Sequence, residues 1–535
     1  MARVVALPVL SSVPNGDGED DSLATRLLRE QADLSAVERF SQLHDAGEAP
    51  LHAERYAALL PAAPPAPGEQ YAFEVDLDAC SGCKACVTAC HNLNGLSEGE
   101  AWRSVGLLHG GSSAEPVRKT VTSACHHCLE PACMHGCPAS AYAKDEDTGI
   151  VRHLDDQCIG CQYCVFTCPF DVPKYQPAMG IVRKCDLCTD RLAEGEAPAC
   201  VQACPSEAIR IARVRTADVR ADALGTFLPG APEASLTLPT TRYVSREPLP
   251  RNLRPADASE LRPAHEHAPL VWMLVLTQLA AGAFGARVVF GGGHRHALVA
   301  AGLAVLALVA STTHLGRPRY AFRALLNLRR SWLSREVLVF GAFGASALLA
   351  AGTVVFRSPH ASVAAHLALV TGLLGVGASV MVYAVTGRAW WSPGRTAFRF
   401  FGTTAVLGTW SLALAEASAA RPAEHLLALA AALTLGKLAG EATDFAPRRH
   451  GAVARGAALL RGALRHRTAG RFLLPTVFAG LAPLAVLGAG LSATPLAIVA
   501  GLGFVAAFSG EVLERRSFFA AESAARMPGA IGGGR

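Results

Sequence analysis

The sequence predicts an α+β domain followed by an all-α polytopic membrane domain of eight transmembrane helices. Three observations carry this. All sixteen cysteines fall between positions 80 and 204. Eight apolar segments, each about 20 residues long, occupy the second half of the chain. Charge divides at the same boundary: residues 1–267 hold 24 Lys and Arg against 36 Asp and Glu, whereas residues 268–535 hold 25 against 8. The basic residues of the second half sit mostly in short loops between apolar runs. That is membrane patterning and excludes a nucleic-acid patch, so no nucleic-acid partner is expected.

The cysteines form four groups of four. Cys80, Cys83, Cys86 and Cys90 read C-x2-C-x2-C-x3-C, and Cys125, Cys128, Cys133 and Cys137 read C-x2-C-x4-C-x3-C-P. Cys158, Cys161, Cys164 and Cys168 return to the first spacing, now followed by proline, and Cys185, Cys188, Cys200 and Cys204 are two close pairs on either side of a longer loop. A four-iron cube needs four converging thiolates, of which one tight loop supplies three. The fourth cysteine of such a run lies beyond the loop and, in two-cluster ferredoxins, ligates the other cluster. Pro138, Pro169 and Pro205 follow three of these outlying cysteines. Zinc knuckles have no use for a third cysteine three residues on, and disulfide frameworks belong to short secreted chains. The α+β domain is therefore expected to be a ferredoxin-like double-dicluster domain holding four 4Fe–4S clusters, with all sixteen cysteines as iron ligands.

Residues 1–70 read as an N-terminal extension. Its first 20 positions are Gly/Asp/Pro-rich and expected to be disordered. Leu23, Leu27, Leu34, Val37 and Phe40 recur at helical spacing, as a cap over the cluster domain or a docking arm would. Residues 71–213 are the cluster domain, in which YAFEVDLDAC and GIVRHLDDQC each run a strand into a cysteine loop and SEAIRIARV supplies a closing strand. A proline-rich extended linker covers 214–265. The membrane domain, 266–520, has spans near 268–290, 296–316, 336–356, 361–387, 399–418, 423–443, 472–492 and 494–513, rich in Ala, Gly and Leu as closely packed membrane helices are. Residues 521–535 read as a disordered tail.

An even number of spans places both termini on the cluster face. The loops of that face carry about twenty arginines, against Arg287, Arg295, Arg357 and Arg421 opposite. By the positive-inside rule the cluster domain then lies on the cytoplasmic side of a prokaryotic inner membrane. The first 25 residues show no export-signal pattern, which points the same way.

A charge at the bilayer centre costs about 2.5–3.5 kcal/mol, so retained ones call for a reason. His314 closes the second span and Glu336 opens the third, both on the cluster face, and HLGRPRYAFRALLNLRRSWLSRE between them is too polar for lipid. Glu511 and Arg515 end the eighth span on the same face. A histidine and a carboxylate beside an apolar cleft suit quinol deprotonation, one bonding a hydroxyl and the other accepting its proton. The alternative is that these residues only cap helix ends. His366 and His425 are single and scattered, so no haem is expected.

CIGCQYCVFTCPFDVPKY, KCDLCTDRLAEGEAPACVQACP and the two groups before them resemble the four-cluster iron–sulfur subunit of the dimethyl sulfoxide reductase family of molybdoenzymes. HLGRPRYAFRALLNLRRSWLSRE and GEVLERRSFF resemble the eight-helix membrane anchor of the same enzymes. The resemblance covers roughly 71–213 and 268–520 and implies the two fused. It implies one cluster on Cys80, Cys83, Cys86 and Cys204, and a second on Cys185, Cys188, Cys200 and Cys90. The inner two would use Cys125, Cys128, Cys133 and Cys168, and Cys158, Cys161, Cys164 and Cys137. Some relatives carry tryptophan at position 161 and a three-iron cluster; Cys161 implies four irons here. His314 and Glu336 fall on the anchor's quinol-site histidine and glutamate.

The resemblance implies a subunit that oxidises menaquinol or ubiquinol and passes electrons to a separate molybdopterin-containing catalytic subunit, which selects the terminal substrate. There are two departures: the family's anchor usually holds its partners on the outer face, and residues before 70 have no counterpart. Two alternatives stand beside this. One is reverse flow, reducing quinone from a donor dehydrogenase. The other is a redox-sensing transporter, which needs intramembrane charges at mid-depth; essentially only Lys437 and Glu441 stand out, and they lie near one helix end. Gly-rich nucleotide or flavin loops and a molybdopterin-binding region are not seen.

Overall fold

The computed structural model describes residues 57–223, 227–446, 451–489, 493–523 and 526–529. The amphipathic segment expected at 22–44 lies outside them. Strand β1 (Glu69–Asp76) alternates buried and half-exposed residues and buries Ala72, Phe73 and Val75. Strands β2 (Ser104–Gly111) and β3 (Pro116–Ser123) form a hairpin in register from Ser104↔Ser123 to Gly111↔Pro116. Strand β4 (Ile209–Arg215) returns antiparallel to β1, with Val75 opposite Ile209. The strand signals in 71–80 and 206–214 thus become one ladder whose ends carry the first and last cysteine groups. The signal in 149–158 becomes a short strand, Val151–His153, paired with Tyr142–Lys144.

The 214–265 linker is more than a strap. It forms a helix at Thr216–Asp222 and strands β5 (Arg242–Val244), parallel to β1, and β6 (Arg254–Pro255), on the edge of β2. It also crosses the second cysteine group, where the Thr237 hydroxyl donates to Cys128 Sγ at 3.3 Å. Described residues of the expected disordered tail also pack: Met527 is buried among Val75, Leu108 and Leu253, and the Gly529 amide donates to Asp257 at 3.2 Å.

The described residues of the membrane half form helices joined by short loops, the main ones being α1 (Ala268–Phe290), α2 (His294–Thr312), α3 (Trp332–Val355), α4 (Ala361–Ala384), α5 (Pro393–Ser418), α6 (Glu424–Ala442), α7 (Arg465–Leu474) and α8 (Ala493–Ala520), with a shorter helix at Ala452–Arg461. A π-turn, Pro475–Leu481, and the helix Ala482–Gly488 continue α7. Seven of these stretches, not the expected eight, are long and apolar enough to cross a membrane. The missing one is α5, which contains the expected 399–418 span. It is flanked by α1, α6 and α8, so Arg399, Thr403 and Thr404 are buried in protein, and its polarity has no lipid to meet. Gly282 and Gly408 let α1 and α5 touch: a Cβ at Gly282 would lie 2.0 Å from the Thr404 carbonyl oxygen.

The polar loop between α2 and α3 is a cradle for the third cysteine loop. The Gly316 and Arg317 amides donate to the carbonyls of Gly160 and Ile159. Asn327 donates to the carbonyls of His135 and Cys137, and Ser331 to that of Gly136 at 2.7 Å. Gly160, Gly180 and Gly316 meet backbone to backbone; a Cβ on Gly316 would lie 2.1 Å from the Gly180 oxygen. Arg317, Arg323 and Arg388 donate to the carbonyls of Asp155, Asp156, Val165 and Phe166. Three of the arginines counted for orientation thus dock the cluster domain.

Candidate functional site

All sixteen cysteines are unbridged, and the structure brings them into four sets that cross the sequence groups. Cys80, Cys83, Cys86 and Cys204 line one cavity. Cys90 neighbours Cys188 and Cys200, and Cys185 neighbours Cys90. Cys133 neighbours Cys168, Cys125 and Cys128. Cys164 neighbours Cys161, Cys137 and Cys158. The sets form a line: Cys86 borders Cys200, Cys185 borders Cys125, and Tyr142 sits beside both Cys133 and Cys164. Cys83 is exposed at one end, while Cys161 packs against the membrane core at the other.

The donor set fits iron–sulfur clusters. No three His, Cys, Asp or Glu side chains converge on a single-ion position among the described residues. That disfavours zinc, whose ligands meet at one point, whereas thiolates of a four-iron cube each take a different iron. Burial pushes the thiols of Cys137, Cys168 and Cys188 up to about 11 and that of Cys90 up to about 12. Only a bound cation makes such thiolates stable at neutral pH. Amides already aim at the sulfurs: those of Ala141, Gly160 and Ala208 donate to Cys137, Cys158 and Cys204 at 3.3, 3.4 and 3.3 Å. At Cys158 burial raises the thiol's affinity for its proton, but the His153 side chain outweighs it and the net shift is downward.

The helix Tyr163–Thr167, inside the third cysteine run, enters the membrane half. The Tyr163 hydroxyl donates to the Val382 carbonyl at 2.7 Å, and Phe166 packs edge-on against His267 and Trp391. Glu336, 4 % exposed, accepts from the Ser379 hydroxyl and lies beside Tyr163 and Tyr383. His314 faces His267, and its Nδ1 is enclosed without a hydrogen-bond partner. Burial holds both histidines down to about 4. They are neutral at pH 7, and each neutral ring offers one nitrogen as an acceptor. Glu336 therefore borders the cluster-bearing helix at Tyr163, whereas His314 is linked to it only by way of His267 and Phe166.

Glu511 and Arg515 lie elsewhere. Glu511 accepts from Lys437 and Thr403, each at 2.6 Å, and pairs with Arg471 at 3.0 Å. Arg471 also grips Glu441 through two bonds of 2.9 Å. Arg515, 0 % exposed, donates to Gln278 at 3.0 Å and lies 3.9 Å from the centre of the Phe400 ring. Lys437 and Glu441, which stood alone in the sequence, belong to this network. Sequence reasoning also missed His267, Tyr163, Ser379 and Tyr383. Only Tyr163 carried a local signal, an aromatic inside a cysteine run.

Residues 118–214 match the 4Fe-4S dicluster domain family, and residues 263–520 match the DMSO reductase anchor subunit family. One polypeptide of the anaerobic dimethyl sulfoxide reductase of Escherichia coli (strain K12) is 38 % identical over 148 residues, covering 26 % of this protein and 72 % of that one. The chain belongs to the dimethyl sulfoxide reductase family. It is the family's iron–sulfur subunit and membrane anchor joined in one polypeptide. The thiosulfate reductase electron transfer subunit of Salmonella typhi is 38 % identical over 154 residues, 28 % of this chain and 80 % of that one. The formate dehydrogenase-O iron–sulfur subunit of E. coli is 35 % identical over 158 residues, 26 % of this chain and 52 % of that one. Within this family the chain is an electron-transfer subunit and a multi-pass membrane protein.

Proposed function

We propose that the chain oxidises a quinol at His314 and Glu336 and delivers its electrons to a separate molybdopterin-containing catalytic subunit. Four 4Fe–4S clusters, one on each cysteine set, supply the one-electron relay when bound. A quinol losing two electrons also loses two protons. Glu336, dry and flanked by Tyr163 and Tyr383, accepts one; neutral His314 accepts a hydrogen bond from the other hydroxyl and takes the second. His267 and Phe166 close the site against water. The observation that carries the reading is the seating of the Cys158–Cys168 loop on the His314–Glu336 loop. It leaves little distance between a quinol and the nearest cysteine set.

In this reading α5 completes eight spans and the cluster domain lies on the cytoplasmic side. The likeness to a formate dehydrogenase subunit keeps the opposite direction, from a donor enzyme to quinone, as the second reading. The test is anaerobic menaquinol addition to the purified full chain, following cluster bleaching in the visible. His314→Ala and Glu336→Gln are expected to slow quinol-driven bleaching at least tenfold while dithionite bleaches both fully. Wild-type rates in both variants would end the assignment.

A further inference from the structure

Two cations are buried in the cluster domain with no carboxylate within ion-pairing distance among the described residues. Arg103, 2 % exposed, donates through Nη1 to the Thr122 hydroxyl at 3.1 Å, and that hydroxyl lies 3.6 Å from Cys86 Sγ. Its Nη2 is enclosed without a hydrogen-bond partner, and the guanidinium sits 4.4 Å from the centre of the Phe73 ring. The charges around it are thiols: Cys86 of the first set, and Cys90, Cys185 and Cys200 of the second. Lys184, 3 % exposed, donates only to the carbonyls of Val151 and Cys185, and neighbours Cys185 of the second set, Cys125 and Cys133 of the third, and more weakly Asp186, with which it makes no ion pair. Neither cation belongs to an ordinary ion pair. An unpaired buried cation is unfavourable, so each calls for anionic neighbours, which loaded cysteine sets supply.

The set nearest the membrane is built differently. No lysine or arginine is among the groups bearing on Cys137, Cys158, Cys161 and Cys164. The one cation-forming neighbour, His153, is paired with Asp155 at 2.7 Å. Arg317 and Arg323, half-buried, donate to the carbonyls of Asp155 and Asp156, which precede the cysteine run, and Arg388 is paired with Glu522.

Adding an electron to a cluster adds negative charge, which a buried cation favours and a buried carboxylate opposes. We infer that Arg103 and Lys184 raise the reduction potentials of the first three sets above that of the set at the membrane. The protein's own charges thereby slope the path away from Tyr163 toward Cys83. Both residues act on potential alone, as positioning charges that bind no substrate. The inference rests on the cluster reading of the cysteine sets, and it favours electron flow out of the membrane.

The test is an EPR-monitored redox titration of the purified full chain, with iron content and integrated cluster spins measured first. Cys161→Ser marks which signal belongs to the membrane-side set, and that signal is expected to have the lowest midpoint. Arg103→Gln is expected to move two midpoints down, and Lys184→Gln two, sharing the second set, with the membrane-side midpoint unmoved by either. Arg103→Lys, which keeps the charge, restores the wild-type values and separates charge from packing. A membrane-side set with the highest midpoint overturns the inference, as do unmoved midpoints in both glutamine variants at full iron content. If Arg103→Gln loses its clusters, Lys184→Gln and the wild-type order still decide it. Quinol is absent from the titration, so a failed quinol site leaves this result untouched, and too little iron for four clusters would instead sink the cluster reading.

Discussion

The two halves of the chain bury charge by opposite means. In the membrane half, Lys437, Arg471 and Arg515 meet Glu441, Glu511 and Glu514 directly, so the charge is balanced within the protein. In the cluster half, Arg103 and Lys184 make no ion pair among the described residues and face chiefly thiols, with Asp186 as a more distant carboxylate near Lys184. The difference teaches where each half gets its fold. The membrane half is complete as a polypeptide; the cluster half is electrostatically complete only when the cysteine sets carry negative charge.

Removing the iron should break this comparison most sharply. Chelation under reducing conditions is expected to leave residues 71–213 open to protease while the helices of 268–520 keep their far-UV signal. Equal survival of both halves would contradict the contrast. The next largest effect belongs to the membrane network. Glu441→Ala leaves Lys437 and Arg471 to share the single carboxylate of Glu511 and is expected to cost about 3–5 kcal/mol, read by unfolding in detergent. Replacing all four members, Lys437, Glu441, Arg471 and Glu511, by methionine should recover most of that loss, because a paired buried ion group is nearly neutral against apolar residues.

The contrast also explains what was legible in the chain. Cysteine spacing is local, set by one loop, and the strands leading into it follow from short alternating runs. The order of Cys80 to Cys204 therefore announced the chemistry. Lys437, Arg471 and Glu511 come from three helices, and nothing near any of them in sequence names its partner. Helix α5 was expected as a span from its apolar stretch, yet its charges are explained only by the helices around it. Most of the linker's structure, β5 and β6, depends on edges offered by β1 and β2, which no local pattern records. His267 was missed because its role depends on Phe166, about a hundred positions earlier.

The junction between the halves gives smaller effects. Gly316→Ala places a Cβ against the Gly180 carbonyl and is expected to cost about 1–3 kcal/mol, with faster hydrogen exchange confined to the 158–168 and 313–331 loops. The smallest effect is a pH slope. His267 and His314 are held near 4 by burial, below the usual 6.5. Above pH 6.5 both are neutral folded or unfolded and cost nothing. As pH falls from 6.5 toward 4 the unfolded chain binds protons that the folded one refuses, and stability drops. His267→Gln should flatten that slope without changing stability at pH 8 by more than its lost ring packing.

One measurement bears most directly on the chain as a conductor between lipid and clusters: an anaerobic menaquinol titration of the iron-loaded full chain, read by EPR. Quinol alone should reduce the clusters, last of all the set whose signal Cys161→Ser alters, and Glu336→Gln should slow that reduction while dithionite still reduces every set. Full reduction by dithionite with no response to quinol in the wild-type chain would contradict the account.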